Sequence, residues 1–384
     1  MADLIFRISP DIICGSHTYS RLNTFLKETG ERFLLIIDPN LKKLNFYEKI
    51  IQTLDDDQIK YILFDKFDEG AASKQIAEAI SIAKEAYIQG VISIGSSRAI
   101  NFAKAVCSLI NENFSIYDCI DGSPLKSKPL PLTAIPTTFR EPYIFSNLIP
   151  ITDSRSSRIK IINASPKITK LVIWDSEFSK TLDERKKNLM IFELFSQCFE
   201  TYISPKSSFF SDMFAEKAFE LLARILNPAA FSESTLSVLR EELLTQAGIM
   251  ISTGTSMSSL GITNLLSLAI HSRYRIPSSE SAAVIFPKIM NDSFQFAEEK
   301  ICKIAKIMKI SKEKSKNSLI LKEFSNFINS FIKQNEFPDS LSNLNLSTEK
   351  LALVAEDASQ TELMASLPKS MTSDTLFEIL KASL

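Results

Sequence analysis

Residues 246–287 read QAGIMISTGTSMSSLGITNLLSLAIHSRYRIPSSESAAVIFP, and the punctuation of this stretch decides how the rest of the chain is read. Gly254 and Gly261 interrupt two helical runs, over 235–257 and 260–271. Ile276-Pro277 turns the chain, because a proline pushes the residue before it out of the helical region. A third run, with Ala282-Ala283 as its small-residue centre, closes at Phe286-Pro287. Working outward, 186–202, 212–226, 279–290, 294–309, 316–334, 347–356 and 373–383 also read as helices. The strand signal vanishes after about residue 180.

Upstream the pattern is different. SPDIICGS reads as an edge strand and HTYSRLNTFLKETG as a helix. FLLIID (33–38) ends at Asp38-Pro39 and is followed by an amphipathic helix through 52. YILFD (61–65) is a further strand; a helix over 72–89 has Gly90 as its expected C-cap. GVISIGSSRAINFAKAVCSL is a strand then a helix, and PLTAIPTT, RIKIINAS and KLVIWDSE complete this half. Strands alternating with helices predict βαβ units on a largely parallel sheet. The expected organisation is an α/β domain over 1–178 and an all-α domain over 179–384.

Composition narrows the function classes. At 384 residues, with 45% apolar and 23% charged, the chain is long enough for two domains and a large core. With 44 basic and 45 acidic residues, net −1, there is no nucleic-acid footprint. No apolar run approaches the roughly 18–20 residues of a membrane span, and MADLIFRISPD does not read as a secretory signal. The five cysteines (14, 107, 119, 198, 302) have no CxxC spacing and are odd in number, which argues against a disulfide framework. A soluble, cytoplasmic protein is expected. Nine glycines stand where average usage gives roughly 27. There is no GxGxxG or GxxxxGK cradle for a phosphate, and the two histidines, His17 and His271, are too few for a His-rich metal site.

The 246–287 stretch resembles the core motif of the iron-containing (group III) alcohol dehydrogenases, AG…GxxHxxxH followed by an IPHG turn. The LMIFELFSQCFETYIS helix resembles the family's GxDAxxHAxEAYxS, with Glu200, Tyr202 and Ser204 holding that register. The tail, from FPDSLSNLNLSTEKLALVAEDASQ to TLFEIL, is similar to the family's closing pattern. The resemblance implies the dehydroquinate-synthase-like fold: a Rossmann-like N-terminal domain and a helical C-terminal one. It places the four metal-ligand positions on Glu193, Gln197, Asn264 and Ser278, and the catalytic-histidine position on Leu268. The 14-residue gap from Asn264 to Ser278 is the family's own. One carboxylate with three neutral oxygens is a poor site for Fe or Zn, so no metal is expected beyond a weak Mg or Ca alternative. His271, near a helix end, reads as a surface or capping residue rather than a catalytic substitute.

The family's GGGSxxDxAK turn falls on Gly95, Ser96, Ser97 and Arg98, with Asn101 and Lys104 following. Two hydroxyls and a guanidinium at a helix start could hold phosphate; the plainer reading is an N-cap serine and an exposed arginine. Pro136-Thr137-Thr138 keeps the start of the family's PTTAGTGSE loop, but Phe139-Arg140-Glu141-Pro142-Tyr143 puts bulk where the cofactor would approach. Asp38 sits where dinucleotide folds place an acid on the ribose, and Asp-Pro also opens turns. Trp174-Asp175 reads as structural. NAD(P) binding is therefore expected to be weak or lost. The resemblance implies an oxidoreductase lineage. The changed residues favour a pseudoenzyme with a binding, scaffold or regulatory role, in a homodimer or paired with a related chain. A metal-independent NAD(P)-dependent oxidoreductase acting on a small alcohol or aldehyde, with Arg98, Arg140 or His271 in new roles, and a phosphate or nucleotide sensor, are the alternatives.

Overall fold

The computed structural model describes residues 10–384 except 28, 68–70, 166, 232–238 and 313–314. The start of the helix expected at 235 and most of the amino-terminal MADLIFRISPD stretch lie outside the described residues. The strands among them are β1 (Asp11–Cys14), β2 (Arg32–Ile37), β3 (Lys60–Phe64), β4 (Gly90–Gly95), β5 (Leu132–Pro136), β6 (Leu148–Asp153), β7 (Arg158–Asn163) and β8 (Thr169–Trp174). Six of them form one sheet in the order β1-β8-β5-β4-β2-β3, every neighbouring pair parallel. β4 and β5 are buried along their whole length, as expected of a parallel sheet covered on both faces. RIKIINAS does not join this sheet: as β7 it pairs with β6 in a separate two-stranded ribbon.

The helices of the α/β half are α1 (Leu22–Leu26), α2 (Asn45–Asp56), α3 (Ser73–Glu85), α4 (Ser97–Leu109) and α5 (Ile116–Ile120). Gly90 is not a helix cap. α3 ends five residues before it, Tyr87 takes the left-handed turn at φ 52°, and Gly90 opens β4. A Cβ on Gly90 would lie 3.0 Å from the Phe33 ring, which is reason enough for glycine there. The Lys104 ammonium on α4, 1% exposed, donates to the carbonyls of Tyr143, Ser146 and Leu148 at 2.6, 2.6 and 3.0 Å. It thereby fixes the loop before β6.

The second half is helical: α6 (Glu184–Ile203), α7 (Phe209–Leu226), α8 (Arg240–Ser256), α9 (Ile262–Tyr274), α10 (Ser278–Ile307), α11 (Asn317–Gln334), α12 (Thr348–Ser359) and α13 (Ser373–Lys381). The two helices read at 279–290 and 294–309 are the single α10, broken only at Ala297 (φ −127°, ψ 24°).

The chain forms two compact units. One comprises the residues through Thr138, Tyr143–Ile149 and Ile162–Phe178; the other Phe139–Pro142, Pro150–Ile161 and Ser179–Leu384. The sequence reading placed 139–142 and 150–161 in the first domain; both pack with the helical unit instead. The reason is local. Phe139 is buried in the helical core with Phe195, Phe199 and Phe286, and Ile159 packs with Leu265, Leu266 and Ile285.

Candidate functional site

α6 carries the first part of the site. Its start is fixed by Asp183, whose carboxylate accepts from the Lys186 amide at 2.9 Å. Phe192, Phe195 and Phe199 anchor one face, with ring centroids 5.7, 5.8 and 5.2 Å from that of Phe286 on α10. Helical spacing then aligns Glu193, Gln197 and Glu200 in a polar stripe, and none of the three is more than 3% exposed.

Glu200 has a structural task. It accepts from the amides of Gly261, Thr263 and Asn264 at 2.9, 2.6 and 3.3 Å, placing a carboxylate on the N-terminus of α9. Burial raises its pKa, and the three amides pull the other way. Gly261 is needed here, because a Cβ would meet the Glu200 carboxyl at 2.9 Å. Tyr202 and Ser204 are likewise structural: Tyr202 Oη donates to Glu216 at 2.7 Å, and Ser204 shares a 2.7 Å bond with Ser259.

The second part arrives from the loop after β5. A Cβ at Gly248 on α8 would fall 2.0 Å from the Phe139 carbonyl oxygen, so glycine lets the loop backbone lie directly on the helix. Ser252, one turn on, donates to the Glu141 carbonyl at 2.8 Å. This docking delivers Arg140. Its Nη1 donates to Glu193 Oε1 at 2.8 Å and to Ser278 Oγ at 3.1 Å. Gln197 Nε2 reaches the same Glu193 oxygen at 3.5 Å. The pair is desolvated, with side-chain exposures of 14% for Arg140 and 3% for Glu193. Burial raises the Glu193 pKa, and the Arg140 guanidinium is the main influence opposing that rise. Among the described residues, Glu193 Oε2 and Gln197 Oε1 are buried without a hydrogen-bond partner.

Two of the four aligned ligand positions, Glu193 and Ser278, thus meet at one guanidinium, and a third, Gln197, reaches the same Glu193 oxygen. Asn264 is buried on the first turn of α9, where its amide binds Glu200. Leu268 packs against the apolar cluster of Leu265, Leu266 and Ile285. The His271 ring nitrogen Nδ1 lies 3.0 Å from the Ile276 carbonyl, so the ring braces the turn after α9. From sequence, Arg140 reads as bulk in a cofactor loop or as a residue with a new role in metal-free hydride transfer, and Gly248 goes unnoticed. The available signal was a glycine inside a helix in a chain with only nine of them.

The turn from β4 to α4 has also been rebuilt. Gly95 has φ +157°, and a Cβ there would meet Ala99 at 2.7 Å and Asp38 at 3.0 Å. Its carbonyl accepts from the Thr137 amide at 3.0 Å. Ser96 occupies the N-cap position of α4 but does not cap; its hydroxyl faces Asp38 Oδ2 at 3.5 Å. Arg98 is not exposed as its plainer reading had it. Its side chain is 16% exposed, Nη2 bonds Asp38 Oδ1 at 2.5 Å, and the guanidinium lies 5.6 Å from the Phe67 ring centroid. Asp38 also caps the following turn by accepting from the Asn40 amide at 3.2 Å. Ser97 follows at the start of α4, Thr137 and Thr138 are buried, and the Thr138 carbonyl accepts from Trp174 Nε1 at 3.0 Å.

Neither donor set fits the group that the motif implies. For a metal ion, the one carboxylate among the aligned positions already holds a guanidinium, and glutamine, asparagine and serine are weak neutral donors. No cluster of three His, Cys, Asp or Glu able to hold a metal occurs among the described residues. For a dinucleotide, the Asp38 carboxylate that would accept ribose hydroxyls is engaged by Arg98, Ser96 and the Asn40 amide. No chemical step is therefore routed through a metal or a nicotinamide.

Residues 9–176 match the profile of iron-containing alcohol dehydrogenases, and residues 191–384 match the C-terminal profile of the same family. The chain is 22% identical over 390 residues to "Alcohol dehydrogenase 4" of Saccharomyces cerevisiae, covering 98% of this chain and 97% of that protein. It is 21% identical to "NAD-dependent methanol dehydrogenase" of Bacillus methanolicus, over 99% of each. Among solved structures, an archaeal halo-thermophilic Red Sea brine pool alcohol dehydrogenase superposes with a TM-score of 0.88 at 19% identity, over all of both chains. A 1,3-propanediol oxidoreductase superposes with a TM-score of 0.89 at 17% identity, also over all of both.

Proposed function

The chain belongs to the iron-containing alcohol dehydrogenase family, and from that premise we propose that it has given up metal-dependent hydride transfer and serves as a binding or regulatory protein. The observation that carries this reading is the Arg140–Glu193 pair, with Ser278 and Gln197 around it. A guanidinium can donate hydrogen bonds to an oxygen but has no open coordination position, so it cannot take a substrate oxygen into a coordination shell as a metal ion does. Leucine at 268 removes a proton relay at the same time, since an alkyl side chain neither gives nor takes a proton. A second copy of the chain, or a related active one, is the partner this reading favours.

The test is elemental analysis together with an assay of small alcohols and aldehydes with NAD(P). The expected result is far less than one iron or zinc per chain, no turnover, and NAD(P) affinity weaker than about 10 μM, or roughly −7 kcal/mol. One equivalent of iron or zinc accompanied by turnover would overturn it.

A further inference from the structure

We propose that the Arg140 guanidinium stands in for the metal ion, as a cation carried by the chain itself and seated among the aligned ligand positions. This inference rests on the loss of metal-dependent chemistry argued above and names what replaced the ion.

Four independent features converge on it. The Arg140 side chain contacts two of the four aligned positions directly, Glu193 at 2.8 Å and Ser278 at 3.1 Å, and a third, Gln197, shares its carboxylate oxygen. These residues are remote in sequence, 53 positions separating Arg140 from Glu193 and 138 separating it from Ser278, so no local preference brings them together. The delivery is built: the loop backbone lies against Gly248, where any side chain would collide, and Ser252 holds the Glu141 carbonyl. The carboxylate needs a cation, because Glu193 is 3% exposed and an unpaired buried charge is costly.

Charge balance favours a single positive charge. Glu193 is the one acidic residue among the four positions, and pairing it with one guanidinium leaves that pair neutral. Losing the imidazole ligands and gaining an arginine are then one change rather than several.

The experiment compares zinc binding, by calorimetry, across three proteins: wild type, Gln197→His with Ser278→His, and the same pair with Arg140→Ala added. The pair supplies imidazoles beside Glu193, a ligand set suited to zinc. With Arg140 still in place the pair is expected to take up no zinc at low micromolar concentration. The triple variant is expected to bind one zinc per chain, at least about 100-fold more tightly. Equal affinity in the pair and the triple variant would overturn the proposal, because Arg140 would not be holding the position. A triple variant that takes up no zinc would overturn it equally, because the three side chains would not converge on one ion.

Should Arg140→Ala not fold, a melting cycle decides. Glu193→Gln and Arg140→Met are each expected to lower the melting temperature by roughly 5–10 °C, and the double variant is expected to melt above the sum of those losses. Strict additivity would mean the two groups are not paired. Wild-type protein that binds a metal ion and turns over alcohol would instead sink the functional reading, and would be recognised by activity rather than by the variants.

Discussion

At the scale of single residues, two positions can be tested without reference to function. Lys104 is held among three carbonyl oxygens, so Lys104→Met leaves three buried acceptors without their donor. Each such group costs about 1–3 kcal/mol when it stays dry, and partial relaxation brings the expected loss in urea denaturation to at least about 2 kcal/mol. Burial also pushes this ammonium down to about 7. An unfolded lysine titrates near about 10.4. Between those values the unfolded chain binds the proton that the folded chain has released, so stability rises with pH across that window. The expected outcome is a rising denaturation midpoint from pH 7 to 10 in the wild type and a flatter profile in Lys104→Met. An unchanged slope in the variant would show that another group is responsible. Gly248 is the second position. Gly248→Ala places a methyl group 2.0 Å from a carbonyl oxygen, so either α8 or the 139–142 segment must shift. A loss of about 1–3 kcal/mol is expected in the same assay, as for overpacking in a core.

At the scale of elements, α9 depends on a cap that is not adjacent in sequence. Its N-terminal amides are satisfied by Glu200 from α6, 61 to 64 residues away. Glu200→Ala is expected to cost about 2–4 kcal/mol, since it strips three buried amides of a charged acceptor, and Glu200→Gln less than half of that. Circular dichroism melts would register the difference, and equal losses would mean that shape matters there rather than charge. The elements show what the sequence could convey. Long apolar runs such as FLLIID and VISIG declared their strands because a parallel sheet buries both faces. The helices declared themselves by periodicity over many turns. β6 and the pairing of β7 escaped notice, because a short two-stranded ribbon has neither signal. Gly90 misled because a glycine after a helix usually caps it, whereas here it makes room for Phe33. At the site, aligned spacing pointed to Glu193, Gln197 and Ser278. It could not point to Arg140, whose partners are chosen by the docking of a loop rather than by any period.

At the scale of the whole molecule, the family is plain from end to end, while three of the four aligned positions carry glutamine, asparagine and serine. Full-length likeness at about one-fifth identity shows the fold and leaves function to the site. On the function proposed above no bound ion contributes to the folded state, so adding a chelator, or one equivalent of iron or zinc, is expected to leave the melting temperature of the wild-type protein unchanged within about 1 °C. A shift of several degrees in either direction would contradict this. The tethering of Arg140 has one more consequence. A coordinated ion is a guest, and its occupancy obeys mass action: it falls on dilution, in competition with other binders, and when supply runs short. A charge attached to the backbone is present at one equivalent in every molecule as soon as it is synthesised. On the proposal that Arg140 takes the ion's place, the helical unit needs no loading step to complete its core.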